Sequence, residues 1–309
     1  MWPEGKKFAF TVFDDTDNDV IDNVQPVYEL LAQCNMRTSK SVWVYRPRDG
    51  FRGLGLLDAR YLEFIRTLAG EGFEICLHNV GSGEFDRTEI KAGMEFFRDH
   101  LGFYPNAHSN HVSNPDNLYW GRKRFVAPLS FLYSAFTRVK GKSVPSLGDE
   151  EASPYFWGDI AKERVKYVRN LTFNDINTLR ADPGTPYIDK RKPYVNYWFS
   201  SSDGHTVEEF TDLIHPANAD RLESEGGLCI VYTHFASGFV NEEGQIDARF
   251  AERIRGLSER PGWFVPVSEV LDWILDQRSS DCVIGHHDQL RLNLLWARDR
   301  IIKRLAYHR

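Results

Sequence analysis

The sequence predicts an α/β fold with a parallel sheet. Apolar runs rich in β-branched and aromatic residues alternate along the chain with segments whose apolar residues recur at helical spacing. The first run, 8–13, is followed by a segment in which one helical face carries Val24, Val27, Tyr28 and Leu31. Strands that alternate with helices form βαβ units, which place their strands in parallel. With 309 residues, 42% of them hydrophobic, the chain is long enough for one large barrel or two ordinary domains.

Each element has a local signal. Asp22 or Asn23 is expected to cap the first helix, because side chains of this type accept hydrogen bonds from free backbone N–H groups. The predicted strands are 8–13, 40–44, 73–77, 166–171, 194–199, 228–232 and 263–267, with a further short strand before His108. The predicted later helices are 58–70, 87–101, 207–214, 248–257, 268–277 and 286–308. The middle, 112–194, has weak periodicity, and we expect elaborated loops there.

The last segment, 286–308, has the pattern of an amphipathic helix. Its predicted apolar face consists of Leu290, Leu294, Ala297, Ile301 and Leu305. The helix is net positive, whereas the whole protein has a formal net charge of -6. It could dock on the barrel, pair with another copy in a homo-oligomer, or make peripheral contact with an anionic membrane surface. Docking or a dimer contact is the simpler expectation.

Composition excludes several classes of protein. The net charge of -6 and the lack of a basic stripe outside the C-terminus argue against a nucleic-acid partner. The four cysteines are scattered without CxxC spacing, which is typical of reduced thiols. No apolar run is long enough to span a membrane, and the N-terminus lacks the apolar region of a signal peptide. We therefore expect a cytoplasmic protein without a transmembrane segment.

Chemically reactive side chains follow several of the predicted strands. Asp14 and Asp15 end the first strand, and two adjacent carboxylates favour either a solvated turn, a metal site or a tuned general base. His78 ends the strand 73–77 and is followed by Asn79 in a glycine-containing loop. In parallel sheets functional groups gather at the carboxyl ends of strands, so we expect these side chains to converge.

Further candidates lie later in the chain. His108 and His111 follow a short strand, and both can reach a metal, or one can bind metal while the other binds substrate. His234 ends the strand 228–232 and is placed to act as a general acid. The predicted substrate contacts are His108, Asn110, Asn79, Asp203, His205 and Trp120. Polar loops and helix caps are the competing interpretation of these residues.

The order of these motifs resembles that of the polysaccharide deacetylase superfamily, carbohydrate esterases with a NodB-like homology domain. The resemblance rests on Phe13-Asp14-Asp15, the strand ending in His78, the loop after the next helix and the late strand ending in His234. It implies a distorted (β/α) barrel of about seven parallel strands in a single domain over 1–280, with loops elaborated at 112–194. A C-terminal helical extension over 281–309 would follow.

The resemblance also implies roles for individual residues. Asp14 would be the general base, Asp15 and His78 would be metal ligands, and His234 would be the general acid. A divalent cation, zinc or in some members cobalt or nickel, would activate water against an N-acetyl carbonyl.

The chain departs from the family pattern in three places. Ser82 stands where the family has a second histidine four residues after the first, and 108–111 replaces an Arg-Pro pair. The segment DDTD stands in place of Asp-Asp-Gly and indicates a divergent branch. Either His111 or His108 supplies the missing ligand, or the metal site is altered or lost; we expect His111 as the third ligand.

The predicted function is metal-dependent hydrolysis, with removal of an N-acetyl group from a sugar as the expected reaction. The substrate would be a carbohydrate, nucleotide-linked or lipid-linked precursor of a cell-surface polysaccharide of the O-antigen or capsule type. Hydrolysis of another amide, such as a cyclic one, on the same barrel is the first alternative. A carbohydrate-binding or assembly protein with a degenerate site is the second.

Overall fold

The computed structural model describes residues 2–112, 114–139 and 145–307 and contains an eight-stranded parallel sheet. The strands are β1 (Phe8–Asp14), β2 (Ser39–Val42), β3 (Glu74–Leu77), β4 (Ala107–His108), β5 (Tyr167–Phe173), β6 (Tyr197–Asp203), β7 (Leu228–Thr233) and β8 (Gly262–Trp263). β1 pairs with both β7 and β2, and this second pairing closes β1 to β7 into a seven-stranded barrel. β8 adds to the outside of β1. The distorted barrel that the resemblance implied is therefore confirmed.

The α-helices of the described chain surround this barrel. They are α1 (Ile21–Gln33), α2 (Ala59–Gly70), α3 (Arg87–Leu101), α4 (Leu129–Val139), α5 (Gly158–Arg164), α6 (Thr178–Ala181), α7 (Val207–Leu213), α8 (Pro216–Ser224), α9 (Ala248–Ser258), α10 (Val267–Asp276) and α11 (His286–Tyr307). Within the parts of the chain that the structure describes, no helix is long and apolar enough to cross a membrane.

The two faces of β1 belong to different parts of the core. Phe8, Phe10 and Val12 pack against the surrounding helices, whereas Ala9 and Phe13 pack with residues of β3 to β6 across the barrel. Successive side chains of a strand point to opposite faces. The same alternation directs the side chain of Asp14 toward the helices and that of Asp15 toward the barrel interior.

Several predicted elements differ from those observed. The first helix begins at Ile21, so Asn23 lies inside its first turn, where the Asn23 side chain accepts a hydrogen bond from the Val20 N–H instead of capping as the first residue. Strand β6 is Tyr197–Asp203, three residues later than the predicted start. The middle of the chain, which was expected to be loop, contains α4, α5 and α6, and α8 was also missed. These helices are short, so the surrounding structure outweighs a weak local pattern.

The C-terminal helix docks on the barrel, but with a different face from the predicted one. Its buried residues are Gln289, Leu292, Asn293 and Asp299. Asn293 and Asp299 accept hydrogen bonds from the backbone N–H groups of Val126 and Asn174. The predicted apolar face is largely exposed, with Leu294, Ile301 and Leu305 at 54%, 63% and 62% exposure. The prediction of this face was wrong because the interface is held by polar side chains that satisfy loop backbone groups. The predicted end at His308 lies outside the described residues.

Leu292 gives this docking its main apolar anchor. It is 1% exposed and packs with Phe125, Leu171 and Phe173. We expect Leu292→Ala to lower the free energy of unfolding by about 2–5 kcal/mol, because a buried leucine leaves a cavity when it is truncated. Leu294→Ala on the exposed side of α11 is the matched control and should change it by less than about 0.5 kcal/mol. Urea denaturation measures both, and equal effects would contradict docking through Leu292.

Candidate metal centre

Three potential metal ligands meet at the carboxyl end of the barrel. Asp17 lies in the turn after β1, His78 directly follows β3, and His111 lies in the loop after β4. One ligand atom from each lies within 4.8 Å of the other two. Asp17 has a side-chain exposure of 13%, and the two histidines are almost completely buried. The parallel strands therefore bring together residues that are far apart in sequence.

The hydrogen bonds of His78 orient its second ring nitrogen toward Asp17. His78 Nδ1 lies 2.7 Å from Ser109 Oγ and 3.0 Å from the Ser109 carbonyl oxygen, so Nδ1–H donates to Ser109. This leaves the lone pair on Nε2, which lies 3.1 Å from Asp17 Oδ1. A histidine that donates one ring N–H to a backbone carbonyl and exposes the other nitrogen has the usual arrangement of a metal ligand.

His111 is held in the same way by different partners. Its Nδ1 lies 3.0 Å from Asn114 Oδ1, and its backbone N–H donates to Asn79 Oδ1 at 2.8 Å. Its Nε2 is buried, has no hydrogen-bond partner in the described part of the chain, and lies 3.6 Å from Asp17 Oδ2. A buried nitrogen without a partner is costly unless something else satisfies it. Two imidazole lone pairs that converge on one carboxylate fit a divalent cation.

Ser82 stands where the resemblance led us to expect a second histidine. Ser82 Oγ donates to Asp49 and lies 3.4 Å from His111 Nδ1, so it lies behind the His111 ring. His108 is directed elsewhere: its Nε2 lies 3.3 Å from Asn110 Oδ1, and its ring packs edge-on against Trp157. Burial lowers the pKa of His108 to about 3. Of the two histidines considered as replacements, His111 is the one beside His78.

Asp15 points into the barrel but is bound by an arginine. Both of its oxygens accept hydrogen bonds from Arg169, at 2.8 and 2.5 Å, and Ser109 Oγ donates to Oδ1 at 3.0 Å. Burial raises the pKa of Asp15, but Arg169 and His78 outweigh that effect and lower it to about 2. Its Oδ2 lies 3.9 Å from His78 Nε2. Asp15 is therefore an ionised carboxylate beside the three potential ligands, and it is absent from the group whose atoms converge.

Asp14 lies behind the barrel wall. Its Oδ2 accepts from the Tyr28 hydroxyl at 2.8 Å and pairs with Lys40 Nζ at 2.9 Å, while Oδ1 accepts from the Phe235 N–H at 2.8 Å. It is fully buried and does not line the cavity that contains Asp15. Strand alternation places the two adjacent aspartates on opposite sides of the barrel wall.

Two further histidines, His205 after β6 and His234 after β7, lie next to each other near Asp17. His234 Nε2 lies 3.2 Å from Asp17 Oδ2, and its Nδ1 has no hydrogen-bond partner in the described chain. Burial would lower the pKa of His234, but the hydrogen bond to Asp17 and the negative charges of Asp17, Asp15 and Asp14 together outweigh burial and raise that pKa. His205 lies with its ring centroid 4.3 Å from that of His234, and burial with the neighbouring His234 lowers the pKa of His205 to about 4. His234 is thus the histidine better suited to hold a proton.

Asp17 and His78 line a cavity of about 330 Å³, whereas His111 lies behind its wall. Its walls include Asp15, Asp17, His78, Asn110, Trp120, Arg124, Arg169, His205, His234, Trp296 and Arg300. Of the six predicted substrate contacts, Asn110, Trp120 and His205 line it, and His108, Asn79 and Asp203 do not. Asn79 positions His111, and Asp203 pairs with Arg300 and Lys303 of α11.

The sequence-based interpretation missed Asp17 and Arg169. Asp17 is the third carboxylate of the DDTD segment, and its position just beyond the strand end was the available signal. Arg169 is a charged residue within the otherwise strand-like run 167–173, which indicates an inward-facing partner. Nothing local pairs Arg169 with Asp15, from which 154 residues separate it.

Comparison with solved structures places the fold among known proteins. A protein from Mycobacterium smegmatis described as a polysaccharide deacetylase matches over 93% of this chain and 96% of its own, with 13% identity and a TM-score of 0.50. The PuuE allantoinase matches over 90% of this chain and 94% of its own, with 12% identity and a TM-score of 0.52. The chain therefore has the fold of these two proteins. No family model matches the sequence, and no curated protein is significantly similar to it. At this identity the likeness establishes the fold, and the function has to be argued from the site.

Proposed function

We propose that the protein is a metal-dependent hydrolase that removes an N-acetyl group from a sugar. The observation that carries the proposal is the convergence of Asp17, His78 and His111 on one point, with His111 Nε2 buried, without a hydrogen-bond partner in the described chain and 3.6 Å from Asp17 Oδ2. In this assignment the three residues hold a divalent cation, with zinc preferred and cobalt or nickel as alternatives. A cation bound there supplies Lewis acidity that polarises a carbonyl and makes water a stronger nucleophile near neutral pH.

The proposal changes the roles that the resemblance implied for the two adjacent aspartates. Asp17 replaces Asp15 as the carboxylate ligand, because both Asp15 oxygens are already bound by Arg169. Asp15, ionised and next to the ligands, accepts the proton of the attacking water. Asp14 has a structural role, because its oxygens are committed to Tyr28, Lys40 and the backbone outside the cavity.

His234 is proposed as the proton donor. Its raised pKa favours the protonated ring, and it lines the same cavity as Asp15. As the amide C–N bond breaks, His234 transfers its proton to the departing sugar nitrogen, while the acyl group leaves as acetate. His205, whose pKa is lowered, is neutral at the same pH and can accept or donate a hydrogen bond to a sugar hydroxyl.

The substrate class is part of the proposal. The aromatic side chains Trp120 and Trp296 line the cavity, and apolar ring faces pack well against sugars. We assign the reaction to a nucleotide-linked or lipid-linked precursor of a cell-surface polysaccharide, with a cytoplasmic location. Peripheral membrane contact through the exposed side of α11 stays a prediction.

One finding favours a second candidate, hydrolysis of a cyclic amide. The PuuE allantoinase, whose name denotes that class of reaction, has the same fold over 90% of this chain. The same cation and the same pair of proton carriers could open a cyclic amide, so the two candidates differ in the substrate and not in the machinery.

Acetate release from defined substrates tests the proposal. Purified protein is treated with a chelator, resupplied with zinc or cobalt, and incubated with N-acetylglucosamine, UDP-N-acetylglucosamine or an acetylated oligosaccharide, with allantoin as the cyclic amide. We expect metal-dependent acetate release from at least one sugar, loss of it in His111→Gln and retention in His108→Gln. Ring opening of allantoin without acetate release would favour the second candidate, and no turnover of any of the four would overturn both.

A further inference from the structure

Arg124 is a buried cation on the wall of the catalytic cavity. Its residue exposure is 8%, and it lines the cavity together with Asp15, Asp17 and His234. Moving a charged side chain out of water is costly unless an opposite charge compensates it. A buried arginine on a cavity wall therefore needs a partner.

The contacts of Arg124 orient its guanidinium without neutralising it. Nη2 donates to the Asn170 carbonyl oxygen at 2.5 Å, and Nε lies 3.4 Å from Asn170 Oδ1. The guanidinium carbon lies 4.2 Å from the centroid of the Trp120 ring. No carboxylate forms an ion pair with Arg124 among residues 2–112, 114–139 and 145–307. Within the described residues the guanidinium is thus held in one orientation, and no hydrogen bond from its Nη1 is found there.

The other charges of the cavity are balanced. Arg169 is paired with Asp15, and Arg300 is paired with Asp203 at 2.6 Å. Asp17 is surrounded by histidines. Burial, with Arg300 and Arg169 nearby, lowers the pKa of Arg124 to about 10, so the side chain stays charged at neutral pH and adds unbalanced positive charge.

We propose that Arg124 binds an oxyanion group of the substrate, a carboxylate or a phosphate, while the acetylated sugar lies at the metal ligands. A guanidinium offers parallel N–H donors that match such a group. Because Arg124 and the catalytic side chains line one cavity of about 330 Å³, the anion and the reacting amide can belong to one molecule. This inference rests on the proposed function for the identity of the reacting group, but its prediction about charge concerns binding alone.

Calorimetry with matched probes tests the inference without requiring turnover. The probes are N-acetylglucosamine, N-acetylglucosamine-1-phosphate, UDP-N-acetylglucosamine and N-acetylglucosaminuronic acid, each titrated into the full-length protein. We expect at least one anionic probe to bind about 10- to 100-fold more tightly than the neutral sugar, the advantage of a charge-assisted hydrogen bond. Preference for the uronic acid identifies a carboxylate, and preference for either phosphorylated probe identifies a phosphate.

Variants link that preference to Arg124. Arg124→Gln should remove most of the advantage, Arg124→Lys should keep part of it, and Arg255→Gln, which removes the same charge from the exposed side of α9, should keep all of it. If Arg124→Gln does not fold, the preference of the wild-type protein for anionic probes and the change of that preference in Arg124→Lys still test the inference. Equal affinity for neutral and anionic probes, no binding of any anionic probe, or an unchanged preference in a folded Arg124→Gln or Arg124→Lys variant would overturn the inference. Acetate release from the neutral sugar in Arg124→Gln would leave the proposed function standing, so the two can fail separately.

Discussion

Asp17→Asn is expected to abolish both metal binding and turnover. It removes the only carboxylate in the converging group formed with His78 and His111. Loss of the Lewis acid should raise the activation barrier by several kcal/mol, which lowers kcat at least about 1000-fold. Metal content by plasma mass spectrometry and acetate release with the best substrate measure the two effects on the same preparation.

Asp15→Asn is the matched control, because it removes one negative charge two residues away. We expect it to retain the metal and to lower kcat by about 100- to 10,000-fold, the usual contribution of a positioned general base. If Asp15→Asn lost its metal and Asp17→Asn kept it, the two assignments would be reversed. That result would also mean that Arg169 releases Asp15 when the cation binds.

Lys40→Met is expected to have the largest effect on stability. Lys40 Nζ pairs with both Asp14 and Asp19, and all three side chains have 0% exposure. Burial raises the pKa of Asp19 to about 7 even with Lys40 beside it. Removing the lysine leaves two buried carboxylates without their cation, and breaking a buried pair in this way costs about 3–5 kcal/mol. The free energy of unfolding in urea is the measurement.

A surface pair provides the comparison for Lys40. Lys7 pairs with Glu223 at 3.0 Å, but the Lys7 side chain is 62% exposed, so Lys7→Met should cost no more than about 1 kcal/mol. The double variant Lys40→Met with Asp19→Asn should recover part of the lost stability, because it removes one of the two unpaired charges. A Lys40→Met protein as stable as Lys7→Met would refute the assignment of this cluster as structural.

The barrel was predictable because its strands carry strong local signals. The run 8–13 and the other apolar runs were found within a few residues of their observed bounds, and the alternation with helices gave the parallel sheet. The roles of Asp14 and Asp15 were harder to assign from the sequence. A barrel strand is buried on both faces, so the run that precedes Asp14 is largely apolar on both faces and the pattern does not say which face is inside.

The proposed ligand set depends on long-range geometry. His78 and His111 are set by the register of β3 and β4, and Asp17 by the turn that follows β1. Local patterns placed each residue near a strand end. They could not decide whether Asp15 or Asp17 is free to bind a metal, because that depends on Arg169 in β5, which binds Asp15. The orientation of α11 was missed for a related reason. Its buried face uses amide and carboxylate groups, and the apolar periodicity of the sequence marks the face that is exposed.

The position of the bound cation tests the central claim most directly. Crystals of the protein loaded with cobalt or zinc allow the ion to be located from anomalous scattering at its absorption edge. The account predicts one ion bonded to Asp17, His78 Nε2 and His111 Nε2, with Asp15 still paired to Arg169. An ion bonded to Asp15, with Arg169 displaced or His111 away from the metal, would contradict it.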